Sequence, residues 1–566
     1  MYTREQAKQE ILKSLKKAVG KGFECTVEDL VDADLRFGDI AFPVFELAKK
    51  QKKNPVELAK EIAANIKATD LIESVEATGP YLNFRFNNTA FIKNVLSEIK
   101  KLGTKFGEGD LGKGTSLMIE YAQPNTLKEF HVGHIRSSVY GQSVVNVARI
   151  NGYKVTATSY INDLGANVAK ILWWMKKNYS EQKVEKENHN SFMQKVYVEA
   201  TENAENDEAR TEISETFEKL ENQEKGWFEL WKETRQWSLD SFKEYFEELN
   251  VRPDVTYYES EVLQDGKKIV KKLLTDGIAK KSQGAVIVDL EDEGLGVMLL
   301  LKSDGTSLYS TRDLPLAFKK DKDYDADRQL FVVDVRQSLY FKQLFATLKK
   351  MGFTKQLTHL AFDFVNLPDG AMSSRKGNIV TYEDLRDDMV EFLEHETKTR
   401  HEDWSEKKIK STAKTLAIAS MNFMMLRQDP ESIITFDIKE AMSFDGFTGP
   451  YILYTIARIE SIKKKAKTKA KIDETKLDKE LELELARQVA IYPELVQRVG
   501  KSFKVSSIAT WAFDTAKLFN EYYHEVKILD DEDKERLASR LALIEAVRQS
   551  LENAMSILCI DVLKEM

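Results

Sequence analysis

The sequence predicts an α/β protein in three parts: an N-terminal α/β domain, a central doubly wound parallel sheet carrying an insertion, and a C-terminal all-α helical bundle. Three observations predict it. Between residues 116 and 367, short apolar runs of strand length alternate with stretches of helical spacing, the pattern of strand–helix–strand crossovers in a parallel sheet. Beyond about residue 385 apolar residues recur at helical spacing with almost no strand pattern, as a bundle requires. Before about residue 100, helical spacing accompanies one alternating stretch, YLNFRFN (81–87), which reads as a half-buried strand of a separate domain.

Whole-chain properties narrow the class. With 566 residues the chain can hold about three to four domains. Its two cysteines, Cys25 and Cys559, lie far apart with no CxxC pair, which excludes a disulfide framework or a cysteine zinc site and points to a reducing, cytoplasmic compartment. No apolar run approaches the ~20 residues needed to span a bilayer, so no membrane partner is expected. In the first nineteen residues Ile11, Leu12, Leu15 and Val19 keep helical spacing beside Glu5 and Glu10, a domain helix and not a targeting peptide. The net charge of −8 argues mildly against a nucleic-acid partner, but a sum over the chain does not say which face is basic.

Taken in order, residues 1–105 form the first domain, with helices on either side of a Pro55 break. The Gly-rich stretch GEGDLGKG (107–114) reads as a linker; it lacks the GK[ST]-then-helix order of a phosphate loop. The sheet domain runs over 114–385. SLMIEY (116–121) is a buried strand, Pro124 and Asn125 break it, and a helix follows through Ile135, Val139, Val144 and Val145. KVTATSYIND (154–163) is the next strand and ends on polar Asn162 and Asp163, where open sheets bind ligands. An insertion is expected over approximately 167–300. Its first part is helical and charged, with Trp173, Trp174, Trp227, Trp231 and Trp237 placed as core anchors more than as stacking platforms. Strands then come at AVIVDL (285–290), GVMLLL (296–301), LFVVDV (330–335) and HLAFDFVNL (359–367). A helical connection (386–447) leads to the bundle (448–566), within which the basic SIKKKAKTKAKIDETK (461–476) reads as a solvated helix end and loop.

Two stretches carry chemistry. In HVGH (131–134) two imidazoles stand three residues apart at the start of a helix, and Gly133 removes a side chain between them. Helix N-terminal amides there would suit a phosphate. A metal pair, which would want a third ligand, and a plain helix start are the alternatives. Far downstream, Ala371-Met372-Ser373-Ser374-Arg375-Lys376-Gly377 is a hydroxyl-rich, basic loop between turn signals. It is suited to cover a polyphosphate, or is an ordinary solvated turn. No Ser-His-Asp or Cys-His arrangement for covalent catalysis is evident.

Together and in this order the two stretches resemble the HIGH and KMSKS signatures of class I aminoacyl-tRNA synthetases. Their flanks resemble the arginyl-tRNA synthetase family. Glu120, Asn125, Lys128, His131 and His134 match its E-x4-N-x2-K-x2-HxGH run, and GTSLYSTRDL (305–314) its Y-x-T-R-D segment. VVDVRQSLYFKQLF (332–345) is similar to its Gln-containing strand and helix, and GPYILYTIARI (449–459) and LFNEYYHEVKIL (518–529) to its anticodon-binding domain. Residues 38–63 are similar to its N-terminal extension.

The resemblance implies a Rossmann-type catalytic domain that ligates L-arginine to tRNA(Arg) through an arginyl-adenylate, using ATP with Mg2+ and no structural metal, in a protein expected to be a monomer. It implies that His131, Gly133, His134, Met372, Ser373, Ser374, Arg375 and Lys376 bind ATP, with Lys128, His131, His134 and Lys376 as the catalytic groups. Glu120, Asn125, Tyr309, Asp313 and Gln337 would bind arginine: Glu120 and Asp313 its guanidinium with Tyr309 beside them, Asn125 and Gln337 its α-ammonium and carboxylate. The N-terminal domain would hold the tRNA elbow and the bundle its anticodon, with Phe519, Tyr522 or Tyr523 as stacking platforms. Three positions depart from the pattern. Ala371 and Ser374 stand where the general class I motif has lysines, an absence that Lys128 is expected to offset, and Cys559 stands where the family usually has glycine. The competing readings are another class I synthetase and a non-catalytic RNA-binding relative.

Overall fold

The computed structural model describes residues 1–20, 22–180, 182–305, 307–368 and 380–566. Its centre is a five-stranded, all-parallel sheet in the order Gln356–Phe362, Arg328–Asp334, Ser116–Glu120, Lys154–Ile161, Val255–Tyr258. The chain starts in the middle, moves to one edge, then returns to build the other half, which is the doubly wound arrangement. The strand order therefore reverses between Ser116–Glu120 and Arg328–Asp334, and the loops beyond their carboxyl ends open a crevice. The Val132–Ile150 helix lies against this point. It packs closely because position 141 is glycine: a Cβ there would sit 2.2 Å from the Tyr121 Cβ.

Two strand expectations need correction. The insertion is not one block over 167–300, because Val255–Tyr258 belongs to the parallel sheet. What is inserted is a helical unit between Ala166 and Glu248 and a separate antiparallel three-stranded sheet, Ala279–Ser282, Ala285–Asp289 and Val297–Leu301. A four-residue strand after Pro253-Asp254 is too short to show a period. Likewise 359–367 is not one strand. It ends at Phe362, and Val365–Asn366 turns aside to pair with Ile434–Thr435.

The N-terminal domain is a four-stranded antiparallel sheet in which Tyr81–Phe86 is central, its Leu82, Phe84 and Phe86 fully buried. It is fastened to the C-terminal bundle by ion pairs: Lys8 to Glu494 at 2.6 Å and Arg487 to Asp39, whose other carboxylate oxygen accepts the Phe86 N–H. Trp173 and Trp231 are buried. Trp231 packs in the core of the helical insertion and donates to the Asp163 carbonyl at 2.7 Å, and Trp173 donates to Glu212 at 2.6 Å.

The bundle consists of Gly449–Lys465, Glu480–Ser502, Ser506–Glu525 and Lys534–Ile557. At its heart Arg540 is buried between Glu482 at 2.7 Å and Asp531 at 2.8 Å, and Tyr522 donates its hydroxyl to Glu482. Phe519 and Tyr522 are fully buried, so neither can be the base-stacking platform the sequence suggested. Of the three only Tyr523, 39% exposed, can meet a partner. Removing Arg540 leaves Glu482 buried without its cation, while Asp531 keeps Arg536 at 2.6 Å. The Arg540→Ala protein should lose about 3–5 kcal/mol from the bundle's unfolding transition in denaturant. A loss under about 1 kcal/mol would mean that the cluster is hydrated and not a buried network. Among the described residues no helix is long and apolar enough to cross a membrane.

Candidate active site

The segment after Ser116–Glu120 is folded over the sheet's carboxyl edge by two non-glycine residues in the left-handed region, Ala122 (φ 53°) and Leu127 (φ 60°). Between them Asn125 bridges to Asn162 and the Thr126 N–H donates to the Asn162 carbonyl at 2.9 Å. The helix then begins on His131, whose extended backbone caps it. The two imidazoles cap reciprocally: His131 Nδ1 accepts the Gly133 N–H at 3.1 Å, and His134 Nδ1 accepts the His131 N–H at 3.2 Å. A side chain at position 133 would press on the His131 ring, its Cβ 3.0 Å from the ring's Cε1. The rings stack with centroids 4.0 Å apart.

This geometry decides the chemistry of the pair. An Nδ1 that accepts a hydrogen bond puts the imidazole proton on Nε2. Burial, with Lys128 nearby, holds His131 down to about 4, and burial beside His131 and Lys128 holds His134 well below the usual imidazole range. Both are therefore neutral Nε2–H donors at neutral pH, with no lone pair left for a metal. The metal-pair alternative does not fit this arrangement.

Two cavities meet at this point. The larger, about 640 Å³, is lined by His131, Gly133, His134, Arg136 and Gln337, with the 362–366 segment as its far wall. The smaller, about 150 Å³, is lined by Tyr309, Arg312, Asn162 and Gly165 among others. Asn125 and Lys128 line both. Lys128 is half-buried, and desolvation lowers its ammonium pKa against the pull of Glu129.

The Tyr309–Tyr324 helix brings Tyr309 to the smaller cavity; Asp313, one turn deeper, lines neither cavity. Tyr340 donates its hydroxyl to Asp313. Burial pushes the Asp313 carboxyl up to about 6 against the pull of Tyr340, Arg312 and Tyr160. Beside it is a carboxylate that sequence reading missed. Glu259, buried, accepts from Arg312 Nη1 at 2.5 Å, and burial raises its pKa while Arg312 lowers it. Its only sequence signal was its place at the carboxyl end of Val255–Tyr258, the strand that also went unrecognised.

Two expected members stand elsewhere. Glu120 lines neither cavity: its carboxylate is buried in an ion pair with Lys320 and accepts from the Gln123 side chain at 2.7 Å. Rings of Tyr160, Tyr257 and Phe331 surround that buried ammonium at 5.2–5.8 Å, and Glu120 is its counter-ion. Gln337 is exposed on the wall of the larger cavity, not in the smaller one with Tyr309. Met372, Ser373, Ser374, Arg375 and Lys376 lie outside the described residues. Just after them, Thr381 bridges to His131 and the Tyr382 N–H donates to the Phe130 carbonyl at 2.8 Å, so this part of the chain is pinned beside the histidine pair.

Family models match along the chain: "Arginyl tRNA synthetase N terminal domain" at residues 5–86, "tRNA synthetases class I (R), catalytic domain" at 92–433 and "DALR anticodon binding domain" at 452–566. The chain belongs to the arginyl-tRNA synthetase family. Curated relatives named arginine–tRNA ligase include one from Bdellovibrio bacteriovorus, 37% identical with 96% of each chain covered. Another, from Clostridium perfringens, is 34% identical over 94% of each. The fold matches that of the Thermus thermophilus arginyl-tRNA synthetase with a TM-score of 0.82, 23% identity and full coverage of both chains. It also matches the Plasmodium falciparum enzyme, with a TM-score of 0.78, 20% identity and 99% of each chain covered. Family membership bears on the doubly wound domain and the bundle together, since the matched models span both. The boundary between the first two models falls at the start of the Asn88–Leu102 helix, which packs on the bundle as well as on the Thr3–Val19 helix of the N-terminal domain.

Proposed function

We propose that this chain ligates L-arginine to tRNA(Arg) in two steps, forming arginyl-adenylate and pyrophosphate from ATP and then transferring the arginyl group to a ribose hydroxyl of the tRNA with release of AMP. The single observation that carries the reading is that Asn125 and Lys128 line two adjoining cavities, one walled by the histidine pair and one by Tyr309. ATP in the first and arginine in the second would bring a carboxylate oxygen and the α-phosphorus together beside the Lys128 ammonium. Neither step needs an enzyme nucleophile. What the reaction needs is alignment and positive charge where the phosphoryl transition state develops.

In this reading the two Nε2–H groups donate to phosphate or ribose oxygens, and Lys128 supplies the charge at the α-phosphate. Asp313 receives the guanidinium, whose planar fork is matched by a carboxylate. Arg312 is paired with Glu259 beside it, which leaves Asp313 as the carboxylate for the guanidinium. Asn125 holds the α-amino or carboxylate end. Gln337 is better suited, from its cavity, to the ATP side of the same junction, and Glu120 acts behind the pocket through Lys320. Met372, Ser373, Ser374, Arg375 and Lys376 would cover the leaving pyrophosphate, a role supported by their sequence alone. Mg2+ would come with ATP, held by its phosphates and by water as this ion prefers. Of the carboxylates on the larger cavity's wall, Asp334 is held through both oxygens by Arg336, which leaves Asp363 as the side chain that would reach the ion's hydration shell. The boundaries proposed are a tRNA-contacting domain over 1–105, a catalytic domain over 114–385, a connection over 386–447 and an anticodon-binding bundle over 448–566. The protein would act as a monomer in the cytoplasm.

ATP–pyrophosphate exchange with each of the twenty amino acids, run with and without tRNA, tests the reading. Exchange with arginine alone supports it. Exchange with another amino acid makes the chain a different class I synthetase, and no exchange in any condition makes it a non-catalytic RNA-binding relative. The pH dependence is a separate test. Arginine's guanidinium binds the ionised Asp313, so binding should release a proton, and kcat/KM for arginine should fall about tenfold per pH unit below about 6. The histidine pair is neutral throughout that range and adds no second limb. A flat profile between pH 5 and 8 would remove Asp313 from the pocket.

A further inference from the structure

Arg136, two residues beyond the second histidine, is 1% exposed and is among the largest fully buried side chains of the chain. Buried arginines ordinarily face a carboxylate. This one donates to main-chain carbonyls instead: Pro430 at 2.7 Å and Ser432 at 2.9 Å, with Asp429 at 3.4 Å and Phe364 at 3.5 Å. Phe364 belongs to the far wall of the larger cavity, and Arg136 itself lines that cavity. The 429–434 segment backs the same wall, since the Asp363 N–H donates to the Pro430 carbonyl at 2.8 Å and the Ile434 N–H to the Phe364 carbonyl at 3.2 Å. On its other side the segment is tied to the bundle, where the Ser506 hydroxyl donates to Asp429 at 2.5 Å.

We propose that Arg136 is a positioning residue for adenylate formation: its guanidinium staples the 362–366 wall and the 429–432 segment to the helix that carries His131 and His134, and so sets the width of the nucleotide cavity. The inference rests on the assignment of ATP to the larger cavity. A lysine keeps the charge but presents a single point donor in place of the planar fork that spans several carbonyls. The consequence is selective, because the wall lies across the ATP cavity and not the cavity that Tyr309 lines.

The test uses the full chain carrying R136K and R136M, with pyrophosphate exchange under saturating tRNA and ATP binding measured by calorimetry without arginine. In R136M the ATP KM should rise about tenfold and kcat fall about tenfold to a hundredfold, while the KM for arginine stays within about twofold. R136K should fold and show the kcat loss with a smaller change in ATP KM. S506A, which loosens the same segment from the bundle side, should shift ATP KM in the same direction. It should have less than its full effect in the R136K background, because the two act on one segment. If R136K leaves ATP KM and kcat within about twofold of the parent, or if arginine KM rises in step with ATP KM, the proposal is overturned. A parent protein that binds no ATP by calorimetry would instead overturn the assignment of the cavity, which separates the two failures.

Discussion

Replacing Lys128 by alanine is expected to slow adenylate formation about a hundredfold, the scale seen when one preorganised transition-state donor is lost. The expectation rests on where the ammonium stands. It is half-buried, borders both cavities, and has had its pKa lowered by desolvation, so its charge acts through a medium of low screening. The general class I motif carries two lysines in its downstream loop, and this chain has Ala371 and Ser374 at those positions, which leaves more of the charge stabilisation to Lys128. Single-turnover activation, followed as pyrophosphate release with arginine and tRNA saturating, isolates the step. Lys128→Arg should recover part of the loss, because it restores the charge and not the shape. An alanine variant that activates arginine at the parent's rate would take Lys128 out of the chemistry and return it to a role in lining the cavities.

The second large effect is expected at Asp313. Asp313→Asn keeps the volume and the hydrogen bond from Tyr340 but removes the charge that a guanidinium needs. Truncating one partner of a desolvated charge pair costs about 2–5 kcal/mol, so kcat/KM for arginine should fall roughly thirtyfold to several thousandfold. The loss should be largely in arginine KM, and discrimination against lysine should shrink with it, since the planar fork no longer meets a carboxylate. Tyr340→Phe is the graded control: it removes one donor to Asp313, pushes the carboxyl further up, and should move the low-pH limb of the arginine profile to higher pH. Unchanged arginine KM and unchanged discrimination in the asparagine variant would mean that the guanidinium is held elsewhere, with Glu259 next to be tested.

Particular residues show how far the sequence could be read. The run from Ser116 through the histidine pair was legible because every feature in it is local: a strand-length apolar run, a Pro-Asn break, a helix period and two imidazoles in fixed spacing. Tyr309 and Asp313 were singled out only through the resemblance of GTSLYSTRDL to the family's segment, and they lie one turn apart on a single helix. Glu120 was read as a strand-end carboxylate for arginine without sight of its partner, because Lys320 arrives from another element 200 residues later. Glu259 and Arg136 were not singled out at all, and each owes its place to groups distant in sequence: Leu164 and Arg312 around the one, the 429–432 segment around the other.

The same division holds for the whole molecule. Periodicity and turn chemistry by themselves determined that the chain has a parallel sheet, a helical insertion and a bundle, since those signals report which face each residue takes within its own element. They determined the histidine pair and its helix as well. Tertiary structure alone decided that Val255–Tyr258 closes one edge of the sheet, that Phe519 and Tyr522 face inward while Tyr523 does not, and that Asn125 and Lys128 stand between two cavities. A buried charge is paired or solvated by whatever lies opposite it, and a cavity is what several distant segments leave unfilled. Neither is a property of any one stretch of sequence.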